Sequence, residues 1–110
     1  MSNIDWSQLV TAEDKEAQER TALMARFESA IQGHIDTIAQ TRRYRDGFAL
    51  AGYVASTVPQ YAAEATAFVA WRDAVWLYAY GELDKALNGQ REIPSVEDFI
   101  AELPEMEWPT

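Results

Sequence analysis

Across residues 61–88, YAAEATAFVAWRDAVWLYAYGELDKALN, apolar side chains recur every three or four positions, with no proline and one glycine inside the run. That spacing predicts a long helix over 60–88. It opens after Pro59 and closes at Gly89, a residue type that suits the left-handed conformation after a last helical turn. Tyr61, Ala65, Phe68, Arg72, Val75, Trp76, Ala79, Leu83 and Leu87 trace one stripe, and the opposite side, with Ala63, Ala67, Ala70, Ala74 and Leu77, offers little to water. A helix apolar nearly all round is one buried between neighbours. Arg72, Asp73, Glu82 and Asp84 interrupt it too often for a membrane span. This run is therefore expected to be the buried centre of a small helical domain, or the contact face of an oligomer.

The rest of the chain reads as shorter or more polar elements around that centre. Residues 1–10 form a lead-in whose Ile4, Trp6, Leu9 and Val10 are apolar, with Trp6 expected to dock on the chain's own core. A long helix follows over 11–43, with Thr11 as its N-cap and Glu13 and Asp14 favouring its positive end. Met24, Phe27, Ile31 and Ile38, in register with Ala17, Arg20 and His34, make a heptad-like seam that suggests pairing with another chain, a homo-oligomer. The charged, Ala-rich first turns are expected to project from the domain, and Gly33 suggests close helix approach or a bend. A second helix is expected over 46–57, capped by Asp46, with Ala49, Ala51, Gly52 and Ala55 packed tightly on the central helix. Ser95 starts a short helix over 95–103 presenting Val96, Phe99, Ile100 and Leu103; Pro104 stops it, and the tail 104–110 folds back through Trp108. The whole is an all-α bundle, with residues 11–110 as one helical domain.

Composition removes several kinds of chemistry. The 110 residues contain no cysteine, which excludes disulfides, thiol catalysis and thiolate metal sites and fits a cytoplasmic protein. The start, MSNIDWSQLVTAEDK, is too polar for a signal peptide. A net charge of −9 argues against general nucleic-acid binding. Six acids and no base lie between Glu92 and Thr110, whereas Arg42, Arg43 and Arg45 crowd one short segment, so the two blocks are candidates to meet. His34 is the single histidine and reads as structural, since a zinc site would need carboxylates for all its other ligands. Glu82 with Asp84, and Glu97 with Asp98, read as a solvated acidic face, and no nucleophile elbow or phosphate loop is present. No enzyme activity, cofactor, metal or small-molecule substrate is expected.

Arg72 stands in the apolar stripe, four residues from both Phe68 and Trp76. A guanidinium buried there needs an acid, with Asp36 or Glu64 the candidates and Asp73 aimed elsewhere. A partner contact is the alternative. Trp71, Tyr78 and Tyr80 fall off the stripe and, with Arg72 and Trp76, are the candidate partner-binding residues, because Trp, Tyr and Arg dominate binding hot spots. RRYR at 42–45 reads as cations at a helix C-terminus rather than a phosphate contact.

GHIDTIAQTRRYRDGFALAGYVAS, followed by FVAWRDAVWLYAYGELDKALNGQREIPSVEDFIAELPEMEWP, resembles the C-terminal module of tailed-bacteriophage and prophage proteins encoded near the tail fibre. The residues that carry it are His34 and Asp36, Tyr44, Phe68 with Ala70, Trp71, Arg72, Asp73, Ala74 and Trp76, then Pro94 and Ser95, and finally Leu103, Pro104, Trp108 and Pro109. The lead-in IDWSQLVTAEDK is similar to the start of small tail-fibre assembly proteins, although members carry a longer N-terminal region than this one. The resemblance implies a chaperone for a tail-fibre protein in the cytoplasm of the bacterial host and brings no catalytic residues. A minor structural component of the tail particle is the alternative. An acidic inhibitor mimicking nucleic acid is less favoured, because acids confined to one end imitate regularly spaced phosphates poorly.

Overall fold

The computed structural model describes residues 11–110, so the lead-in and the expected docking of Trp6 lie outside the described residues. The fold is all-α, as the sequence implies: α1 Ala12–Gln40, α2 Gly47–Ala51, α3 Pro59–Leu87 and α4 Val96–Glu102, with no strand among the described residues.

Side-chain caps set the starts of three helices. The Thr11 hydroxyl accepts from the Asp14 N–H at 3.1 Å, and the Asp14 carboxylate accepts from the Thr11 N–H at 3.4 Å, a reciprocal capping box for α1. Asp46 accepts from the Ala49 N–H at 2.8 Å to open α2, and Ser95 from the Asp98 N–H at 3.1 Å to open α4. Pro59 is the first residue of α3 itself, where its missing N–H costs nothing.

Both long helices close on the same backbone pattern. After α3 the Gly89 N–H donates to the Ala86 carbonyl and the Gln90 N–H to the Lys85 carbonyl, with Gly89 at φ 75°. After α1 the Arg43 N–H donates to the Gln40 carbonyl at 3.0 Å and the Tyr44 N–H to the Ala39 carbonyl at 3.3 Å. Here the left-handed residue is Arg43, at φ 71°. This turn ends α1 at Gln40, ahead of the expected 43. The expected 46–57 helix is divided too: α2 passes into a 3-10 turn at Gly52–Ala55, and the chain is extended at Ser56 and at Val58, ahead of the proline.

Phe27, Ile31 and Ile35 of α1, Leu50 of α2, Phe68 and Val75 of α3, and Phe99 of α4 are the largest fully buried side chains. Each stabilises the fold by about 1.5–3 kcal/mol. Phe27 meets Phe99 edge to face at 5.3 Å. The buried face of α3 runs through Ala65, Phe68, Trp71, Val75, Ala79, Leu83 and Ala86, so it includes Trp71 and leaves Arg72 and Trp76 at its edge. The helix is covered on this face and not all round, since Ala63, Ala70, Ala74 and Leu77 are exposed.

Three packing expectations are corrected by the structure. The heptad-like seam is filled from within the chain: Phe27 and Ile31 are in its own core, and the half-buried Met24 and Ile38 pack against it. A Cβ on Gly33 would meet nothing within 4 Å, so no helix approaches there. Gly52 and Ala55 are exposed, and the close approach falls on Gly47. A Cβ there would lie 3.1 Å from Ile35 Cγ2, 3.1 Å from Phe68 Cζ and 3.2 Å from Asp36 Oδ1. Asp36 also accepts the Gly47 N–H at 2.9 Å, which pins the start of α2 to α1.

Gly47→Val should therefore lower stability by about 1–3 kcal/mol, because Ile35 and Phe68 are fully buried and have no space to yield. Gly33→Ala should raise it by up to about 1 kcal/mol. Urea midpoints of the two variants check the contrast, and equal midpoints would refute the assignment of the close approach to Gly47.

Candidate functional site

The residues expected to bind a partner are divided by the structure into buried and exposed groups. Trp71 is only 6% exposed; its Nε1–H donates to the Pro104 carbonyl at 2.7 Å, and its ring meets His34 at 5.9 Å and Phe68 at 5.7 Å. It is a core residue that ties the tail to α3, which corrects its placement off the buried stripe. Burial lowers the His34 pKa, in keeping with a neutral ring packed on Trp71.

Arg72 is also corrected. Its guanidinium lies at the surface and pairs with the adjacent Asp73 at 3.1 Å. The acids expected to meet it are engaged elsewhere. Asp36 holds α2, whereas the buried Glu64 accepts from the Tyr44 hydroxyl at 3.0 Å and pairs with Arg42 at 3.2 Å. Arg42 also lies over the Trp108 ring at 5.0 Å, so the tail folds back as expected. The C-terminal acids do not pair with the arginine block among the described residues; Arg42 turns to Glu64, and Glu102 to Arg91.

Tyr78 is half-buried and belongs to a polar network that joins α3, α4 and the loop between them. Its hydroxyl donates to Glu102 Oε1 at 2.8 Å, while Arg91 grips both oxygens of Glu102 at 2.9 and 2.8 Å and reaches Glu82 at 3.3 Å. The hydrogen bonds from Arg91 hold the Glu102 carboxyl below its usual pKa of 4.5, and the hydrogen bond to Glu102 pushes the Tyr78 phenol upward.

Tyr80 remains exposed, and Trp76 beside it is half-buried, with one side packed against the core. Their rings stack at 5.4 Å and 25°, and the Tyr80 hydroxyl donates to Glu28 Oε2 of α1 at 2.7 Å, which fixes the ring. Beside them Leu77 is 78% exposed. Asp73, Trp76, Leu77 and Tyr80 line an open hollow of about 410 Å³. Leu77 is the residue the sequence pattern missed: drawing the buried stripe through Trp71 puts positions 73, 76, 77 and 80 together on the outer face of one helix.

This hollow offers apolar and aromatic area with a single carboxylate at its edge. Among the described residues no cluster of three or more His, Asp or Glu is placed to hold a metal ion, and no helix is long and apolar enough to cross a membrane. No family model matches the chain, and neither a curated protein nor a solved structure does.

The Glu102 network makes stability depend on acid. A carboxyl whose folded pKa lies below its unfolded one stabilises the fold above the unfolded value and loses that contribution as pH falls through the folded one. Glu102→Gln should lower the urea midpoint at pH 7 and make the loss of stability below about pH 4.5 shallower. An acid limb as steep as that of the parent protein would exclude this network as a source of the dependence.

Proposed function

We propose that this chain is a non-enzymatic tail-fibre assembly protein, a chaperone that holds a fibre subunit against the outer face of α3 at Trp76, Leu77 and Tyr80. The observation that carries this reading is the exposure of Leu77 beside a stacked indole and phenol. Aromatic anchors with adjacent aliphatic area are the composition of binding hot spots, and contiguous exposed apolar surface marks interaction sites. The resemblance to phage tail-fibre proteins, resting on the W-R-D-A-x-W segment and the closing L-P-x-x-x-W-P, supplies the class of partner. Trp71 and Tyr78 leave the contact set, while Arg72 and Asp73 stand at its edge.

The structural-component alternative drew on the α1 seam. That seam is spent on the chain's own core, so an oligomer in the particle would have to use other surface, such as the exposed first turns of α1. The host cytoplasm is the location that fits a chaperone.

Co-expression with a tail-fibre subunit, followed by size-exclusion chromatography with light scattering, is expected to yield a soluble complex. Leu77→Asp should weaken that complex at least about tenfold, roughly 1.4 kcal/mol or more. The thermal midpoint of this variant should fall by only about 2–6 °C, the cost of aspartate's lower helix propensity and of the like charge at Asp73, because the side chain is exposed. Full-strength binding by Leu77→Asp would move the contact off this face, and no complex with the parent chain would end the chaperone reading.

A further inference from the structure

A second site lies at the other end of α3, where the turn after α1 meets the 3-10 turn. The rings of Tyr44, Tyr53 and Tyr61 pack edge to face in a closed triangle, with centroids 5.5, 6.3 and 5.6 Å apart. With Arg42, Arg43, Gln60 and Glu64 they line a cavity of about 330 Å³. From Tyr61 to Trp76 is fifteen residues of α3, about 22 Å along the axis, so this cavity is separate from the hollow at Leu77.

The balance of charge in this cavity is one-sided. Glu64 is its one carboxylate, and both of its oxygens are engaged, Oε1 by the Tyr44 hydroxyl and Oε2 by Arg42. Burial and the bond to Glu64 push the Tyr44 phenol up to about 12, so Tyr44 stays protonated and keeps donating. Arg43 forms no ion pair among the described residues. The tyrosine hydroxyls bonded to carboxylates there are those of Tyr44, Tyr78 and Tyr80, which leaves Tyr53 and Tyr61 available. Two arginines thus line a cavity whose one carboxylate is already satisfied, in a chain of net charge −9.

The backbone at Arg43 points the same way. Its φ of 71° is left-handed, a conformation that costs a residue with a Cβ on the order of 1 kcal/mol or more and that glycine takes freely. The equivalent position after α3 is Gly89. An arginine at this place carries a conformational cost that its backbone role does not require, and such cost gathers where a side chain serves a ligand.

We propose that Arg43, with Arg42 and the hydroxyls of Tyr53 and Tyr61, forms a binding site for an oxyanion, a phosphate or a carboxylate group. The guanidinium of Arg43 supplies the charge and a planar pair of donors, and the two hydroxyls donate from the wall of the cavity. The tyrosine rings shield the anion from water on one side, which strengthens these bonds.

Arg43→Gly tests this cleanly, because glycine keeps the left-handed turn while removing the guanidinium. Inorganic phosphate and glutarate, titrated separately into the whole protein at constant ionic strength, should shift the amide resonances of residues 42–44, 53 and 61. Whichever of the two binds more tightly identifies the group. Arg43→Gly should weaken that binding roughly tenfold or more while leaving the thermal midpoint equal or higher. Tyr53→Phe, which keeps the ring, should weaken it less. Absence of saturable shifts with either anion overturns the proposal, and so does binding by Arg43→Gly at parental strength. A failed fibre complex leaves this test untouched, since the two sites are read separately.

Discussion

A buried indole must have its N–H satisfied, and Trp71 satisfies its own at the carbonyl of Pro104, thirty-three residues along the chain. That one bond joins α3 to the segment that leaves α4, and α4 is only seven residues long. So short a helix has little stability of its own in water. It is held by Phe99 against Phe27, by Arg91 gripping Glu102, and by the tail drawn down onto Trp71. Replacing the indole would leave a buried carbonyl without its donor as well as a cavity, so the tail and the central helix depend on each other. Trp71 and Pro104 stand in the W-R-D-A-x-W and L-P-x-x-x-W-P segments of the chain. These two segments are therefore joined by the bond that closes the domain.

The helices themselves were legible because their signals are local. Thr11, Asp46, Ser95, Pro59 and Gly89 act on backbone groups within a few residues, and each stands at the boundary its chemistry suits. The orientation of α3 was not legible. With alanine and aromatic residues on every side, a stripe through Phe68, Arg72 and Trp76 fits helical spacing about as well as one through Phe68, Trp71 and Val75. Neighbouring positions differ by about 100° around the axis, so this small shift exchanges a buried arginine for a buried tryptophan. The choice is made by α1, by α2 with its 3-10 turn and by the Pro104 carbonyl, all outside the helix itself.

The same remoteness hid the polar partners. Glu64 finds Tyr44 and Arg42 across a gap of about twenty residues, and Tyr80 finds Glu28 across more than fifty. Neither pairing has a sequence period. The tyrosine triangle likewise draws one ring from the turn after α1, one from the 3-10 turn and one from the first turn of α3. The seam on α1 is ambiguous in the sequence for a related reason. Its spacing is correct for a buried face, but spacing does not say whether the covering helix comes from the same chain or another. Here α2, α3 and α4 of the same chain supply the cover.

These carboxylate-held tyrosines bear on the contact proposed for α3. Ordering a mobile side chain at an interface costs about 0.5–1.5 kcal/mol, which is subtracted from whatever its contacts provide. Tyr80 is stacked on Trp76 and tethered to Glu28 before any partner arrives, so that cost falls on the folding of the chain and not on the encounter. Leu77 stands beside a surface already set in place. The inward face of α3 supports this arrangement because Phe68, Val75 and Ala79 are fully buried and give the helix no freedom to turn. A long helix buried along one face and bare along the other is thus more than an incompletely covered core. Its covered side fixes the rotation that decides which residues its bare side presents, and that rotation places Leu77 and Tyr80 outward beside the half-buried Trp76.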